Sequence, residues 1–268
     1  MLRSLSSLIV SALLIAIPGA VGAGDAPGLA HIIKTRELRV AMSGGQPPLN
    51  MKSKAGDIIG LEADLAALLA EAMGVKLLIV EKPFPQLLGA LQKKEVDMVM
   101  SGMTMTVQRN LVAAFAGPYL VSGKSILTKS SALARADALE DINMAELKLA
   151  ALENSTSQSF VELVAPEAKL VKIQSYDEGV EMVLKDEVDA LVADHPICAL
   201  SVLRYPDKGL ATLNTPFTVE PIGIVLPAGD PLLVNLVENY LAGMETSGLL
   251  ERLRTRWFED ASWLDQLP

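Results

Sequence analysis

Two separated stretches of the chain carry the side chains best suited to holding a small charged molecule. The first is Ser101-Gly102-Met103-Thr104 with Arg109 close behind, which together offer hydroxyls, backbone groups and a guanidinium. The second brings Asn154-Ser155-Thr156-Ser157 and, further along, the carboxylate of Asp194. A guanidinium grips a carboxylate through paired hydrogen bonds. A helix N-terminus adds backbone donors to the same anion, and an aspartate accepts an ammonium. Converging, these groups would bind a zwitterion. Each also has a plainer role: Ser155, with Gln158 three positions on, reads as a helix cap, Asp194 before His195-Pro196 as another, and Arg109 alone as a solvated surface charge. Joint placement is what argues for a site.

That placement follows from the elements around them. Short apolar runs alternate with amphipathic stretches, the pattern of α/β units. Strands are expected over 38–42, 76–80 and 98–100, and helices over 62–73 and 85–93. Leu65, Leu68 and Leu69 fall on one helical face and Gly74 stands where that helix would end. The second half repeats the theme at an offset of about 92 residues. Lys93, Glu95, Val96 and Asp97 are matched by Lys185, Glu187, Val188 and Asp189, each set following a helix and leading into an apolar strand. Strands over 148–152, 170–173 and 190–193 complete the second copy, with Ser175 and Glu178 resembling a capping box. The match is short enough for convergence of two βαβ units, and its value is geometric. Open α/β sheets bind ligands beyond the carboxyl ends of their strands, and both candidate stretches fall there.

Composition removes several classes. Arg3, an apolar run over 8–17 and the small residues Ala20-Val21-Gly22-Ala23 read as a cleaved export signal over 1–23, the run being too short for a bilayer span. The single cysteine, Cys198, excludes an internal disulfide and does not follow the apolar run, so no lipid anchor is expected. A formal charge of -9 argues against nucleic acid or anionic lipid as a partner. With His31 and His195 as the only histidines no metal site is expected, and without a phosphate loop or dinucleotide fingerprint no cofactor either. Cys198 and His195, three apart, would make a nucleophile and base on one helical face, whereas the apolar surroundings Ile197-Cys198-Ala199-Leu200 read as core filling.

The run from Ser101 to Arg109, followed by Phe115-Ala116-Gly117-Pro118-Tyr119, resembles the signature of the family 3 bacterial extracellular solute-binding proteins. The likeness extends to Pro47-Pro48, to Gly60-Leu61-Glu62-Ala63-Asp64-Leu65-Ala66, to Ala193-Asp194, and to Gly248-Leu249-Leu250 with Trp257-Phe258. It implies a two-lobed periplasmic-binding-protein fold of type II. Two open α/β lobes, 24–124 with 225–268 and 125–224, would be joined by crossover strands at 125–127 and 222–225. It further implies a periplasmic monomer that closes on an amino acid or similar small carboxylate and presents it to an inner-membrane ABC permease, or to a sensor. By that resemblance Arg109 takes the ligand's α-carboxylate, Thr104 and the Gly102 backbone share its polar end, Ser155 or Thr156 adds donors, Asp194 holds the α-ammonium and Phe84 flanks the pocket. Ser101 opens the same motif. The chain departs from the family at Leu49 and Leu61, where aromatics are common, which thins the usual clamp. It also departs at Glu153-Asn154, where Glu153 would face a cation. A branch similar to cyclohexadienyl dehydratase is the enzymatic alternative. It needs a proton donor, for which Glu220 and Glu153 are the candidates, the plainer reading of Glu220 being a solvated loop carboxylate.

Overall fold

A computed structural model describes residues 26–260 and 262–267; the expected export signal lies outside them. Two five-stranded sheets organise the chain. In the first, the strands run in the order Lys76–Glu81, Glu37–Met42, Met98–Val99, Glu220–Leu226 and Ala114–Ser122. In the second the order is Lys169–Ile173, Lys148–Leu152, Ala190–Asp194, Lys124–Thr128 and Ala211–Thr212. Each sheet has a parallel βαβ half and an antiparallel side. A small antiparallel sheet of Gly45–Gln46, Asn50–Lys52 and Ile58–Ile59 lies ahead of the first long helix.

That helix, Leu61–Met73, forms because Leu61, Leu65 and Leu69 recur every four residues and bury one face against the first sheet. It stops where Gly74 turns left-handed and donates its N–H to the Ala70 and Glu71 carbonyls. Trp257 in the last long helix, Leu249–Phe258, donates from its indole to Asp64 at 2.8 Å and packs on Trp263, which ties the C-terminal segment to the first lobe. The stretch expected as one helix over 85–93 is a 3-10 turn, Phe84–Gln86, running into the helix Leu87–Gln92.

The repeat seen in the sequence is a repeat in space. Lys94 and Asp186 both turn left-handed, at φ 59° and 58°. The aspartates that follow, Asp97 and Asp189, each accept a backbone N–H near the start of a neighbouring strand, Arg39 N in one lobe and Lys148 N in the other, both at 2.8 Å. The carboxylate thus fixes strand register at the same place twice.

The chain passes between the sheets at Gly123 and again over 213–219. The strand Glu220–Leu226 lies wholly in the first sheet, so the boundary expected at 224/225 falls inside a single strand, and 125–127 belongs to the second sheet. The two passages are stitched together: Lys124 N donates to Thr218 Oγ1 at 2.8 Å and Phe217 N to the Lys124 carbonyl at 2.7 Å. A Cβ on Gly123 would stand 1.9 Å from the Thr218 carbonyl oxygen, so only glycine allows this approach.

Candidate functional site

The interlobe cleft is built from strand ends. Thr104 follows the end of Met98–Val99 in the first lobe, Thr156 starts the helix Thr156–Val164 in the second, and Glu220 opens the return strand between them. Glu220 Oε2 accepts from both threonine hydroxyls, at 3.0 Å and 3.1 Å, and the hydroxyls themselves are 3.2 Å apart. The three segments meet on one carboxylate oxygen.

Arg109 sits on the short turn Val107–Asn110, capped by Thr106 Oγ1. Its guanidinium donates to the Thr104 carbonyl in its own lobe at 2.9 Å and to the Asn154 carbonyl of the other at 3.5 Å, and lies 5.9 Å from the centre of the Phe84 ring. Both partners are neutral carbonyls, so the charge has no carboxylate within ion-pair distance among the described residues. Burial pulls its pKa down, against the opposing fields of Asp194 and Glu220.

Lys124 was not expected. Its side chain is fully buried, with Nζ 2.5 Å from Asp194 Oδ1 and 2.8 Å from Glu220 Oε2. Burial opposes its charge, but the two carboxylates win and hold its pKa above the ordinary value. Burial likewise pushes Glu220 upward, and Lys124 with the two threonines brings it below the ordinary carboxylate value. Glu220 is therefore no solvated loop group. The sequence signal for Lys124 was a lysine leading an apolar strand, Lys124–Thr128, all of which is buried.

Several expected ligand groups are already spent. Ser101 Oγ accepts from Ser43 N at 3.0 Å and bonds the Ser43 hydroxyl at 3.1 Å, which anchors the loop before the small sheet. The Gly102 N–H, expected to face a ligand, donates to Glu62 Oε1 at 2.7 Å. Glu62 lies fully buried at the start of the first long helix and also accepts from Tyr119 OH and, at 2.5 Å, from Asn50 Nδ2. Ser155 is a cap: its Oγ accepts from Ser157 N and Gln158 N and donates to the Leu152 carbonyl. Asp194 makes no capping bond, its carboxylate being turned to Lys124. Glu153 accepts from Gln174 Nε2 at 2.7 Å, away from Glu220. Burial raises the Cys198 thiol to about 12, and His195 Nδ1 is buried without a hydrogen-bond partner, so these two are not a nucleophile and base.

Aromatic cover comes from both lobes. Phe84 and Tyr176 line a cavity of about 40 Å³ together with Gly45, Gln46, Leu152 and Ser175.

Comparisons with known proteins agree with this architecture. Residues 38–260 match the bacterial extracellular solute-binding proteins, family 3. Among curated relatives, a cyclohexadienyl dehydratase of Pseudomonas aeruginosa is 26% identical over 231 residues, 86% of each chain. Two solved structures are each 33% identical with a TM-score of 0.80. One is an ancestral amino acid-binding protein, AncCDT-1, described as a precursor of cyclohexadienyl dehydratase, with 86% of this chain and 99% of that one covered. The other is a putative ABC-transporter binding component from Wolinella succinogenes complexed with lysine, with 85% and 98% covered. The fold is the two-lobed one of these binding proteins, and the same fold carries an enzyme.

Proposed function

The chain belongs to the bacterial extracellular solute-binding proteins, family 3, and from that membership we propose that it captures an amino acid or similar small carboxylate between its lobes in the periplasm and delivers it, as a monomer, to an inner-membrane ABC permease. The observation that carries the reading is Arg109: a cation at the lobe junction, backed by Phe84, with no carboxylate of its own. A ligand carboxylate would complete it through paired hydrogen bonds. Thr104, Thr156, Asp194 and Phe84 then form the rest of the site, with Ser101, Gly102 and Ser155 holding its walls. Closure around the ligand biases the two-lobe equilibrium and signals occupancy to the permease. No helix among the described residues is long and apolar enough to cross a membrane.

Thermal unfolding against amino acids, small carboxylates and prephenate tests this. A ligand at about 100 times its Kd adds about 2.7 kcal/mol to the stability. Arg109→Ala should cost that ligand at least about 1.5–3 kcal/mol of binding, the range for charged hydrogen bonds; an unchanged Kd would mean that the carboxylate binds elsewhere.

A second reading, a dehydratase, is favoured by one observation. Glu220 and Lys124 form an ion pair, 2.8 Å apart, beside the two threonine hydroxyls. In prephenate the ring C–CO2 bond breaks and releases carbon dioxide as the hydroxyl leaves as water, which needs a proton at that hydroxyl; in this pair the proton rests on Lys124 because Glu220 stays ionised. Consumption of prephenate that is abolished in Glu220→Gln would establish the enzyme; prephenate left intact by the wild-type protein would remove it.

A further inference from the structure

We propose that Lys124 fills the position a ligand's α-ammonium would take, so that the cleft selects a small carboxylate bearing a 2-oxo or 2-hydroxy group over the corresponding amino acid. This rests on the reading of the cleft as a carboxylate site and narrows the class of ligand.

The charges around the cleft decide it. The acids that reach its centre, Asp194 and Glu220, come from different lobes and already share the Lys124 ammonium. Lys124 enters from the crossover, where its backbone is held by Thr218 Oγ1 and by Phe217 N, so its ammonium is delivered by the hinge itself. Arg109, by contrast, has only carbonyl partners. The cleft thus holds a cation waiting for an anion and no central anion waiting for a cation. Asp194 keeps a second oxygen, but an ammonium placed on it would stand beside that of Lys124, and like charges at such range in a buried site repel.

Hydrogen-bond inventory points the same way. An ammonium has three donors, and two of those on Lys124 go to the carboxylates. The third is left for an acceptor, and a carbonyl or hydroxyl oxygen at C2 of the ligand supplies one. An α-ammonium offers only donors and cannot. Thr104 and Thr156 each give their hydroxyl proton to Glu220, so neither has a proton left for an oxygen at C2 and Lys124 is the donor available there.

The test is calorimetric titration of the wild-type protein with matched sets: phenylalanine, phenylpyruvate and phenyllactate; glutamate, 2-oxoglutarate and 2-hydroxyglutarate; leucine, 2-oxoisocaproate and 2-hydroxyisocaproate. In the set whose side chain fits, the oxo or hydroxy member should bind at least about tenfold tighter than the amino acid, the factor equivalent to one charged hydrogen bond. Lys124→Gln combined with Glu220→Gln removes one charge of each sign and leaves Asp194 free. In that protein the preference should vanish or reverse. Tighter binding of the amino acid by the wild-type protein would overturn the inference while leaving the carboxylate site standing. Failure of every member to bind would bring down both. Should the double variant not fold, the wild-type comparison decides alone.

Discussion

Glu62 in the first lobe and the Asp194–Glu220 pair at the lobe junction are held in opposite ways. Glu62 lies inside the first lobe with only neutral donors around it, the Gly102 N–H, the Tyr119 hydroxyl and the Asn50 amide. Asp194 and Glu220 lie where the lobes meet, and they hold a lysine. Neutral donors fix geometry without making a charge available, and Glu62 accordingly ties a helix start, a strand end and the Pro118-Tyr119 segment into one rigid wall. The lysine pair places charge at a surface that opens and closes. Each arrangement fits its location, since a wall has no need of charge and a recognition site does.

The largest expected effect tests the charged half of that contrast. Lys124→Met leaves Asp194 buried without its ion partner and Glu220 held only by threonine hydroxyls, and should cost about 3–5 kcal/mol, read as a lower denaturant midpoint at unchanged slope. Adding Glu220→Gln should recover part of the loss by removing one of the stranded charges. If the double variant were no more stable than the single one, the pair would be coupled by packing and not by charge.

Glu62→Gln probes the neutral half and should cost less, about 1–3 kcal/mol, because one donor loses its acceptor while the shape is kept. The two sites also differ in the sign of their pH dependence. Burial raises the Glu62 pKa above its ordinary value, so its contribution is full below the ordinary carboxylate range and is lost as pH rises through the raised value. Glu220 is lowered, so its contribution is present above that range and lost as pH falls through the lowered value. The stability difference between wild type and Glu62→Gln should therefore shrink as pH rises, and that between wild type and Glu220→Gln should grow. Parallel slopes would erase the distinction drawn between them.

How much of this could be read from the chain follows from where the partners lie. The repeated Lys-x-Glu-Val-Asp pattern was legible because its partners are local to one βαβ unit, and in both copies the aspartate performs the same bond to a strand N–H. Arg109, Thr104 and Asp194 were legible as strand-end groups. Lys124 was not, since it lies 70 positions from Asp194, and nothing local distinguishes it from a lysine at the rim of a strand. Glu62 was quoted for its place in a motif and its role was missed, because its hydrogen-bond partner Tyr119 is 57 positions away. A separation of 40 positions from Glu62 hid the use of Gly102, whose N–H turns inward to Glu62 and not outward to a ligand.

The smallest expected effects come from neighbours in the second lobe. Ser155 and Thr156 are adjacent hydroxyls that were equal candidates for ligand contact, yet one faces its own helix and the other faces the opposite lobe. Ser155→Ala removes a helix cap and should lower stability by about 1 kcal/mol, with little change in ligand Kd. Thr156→Val keeps the volume and removes the hydroxyl that bridges Glu220 and Thr104. Its stability cost should be at most about 1 kcal/mol, since the lost hydrogen bond is partly exposed, while the Kd should move because the bridge forms only with the lobes together. Calorimetric titration beside a denaturation curve for each variant separates the two quantities. Matched losses of stability and affinity in both variants would mean that the helix start acts as one unit, with the boundary between wall and recognition surface lying further out than Thr156.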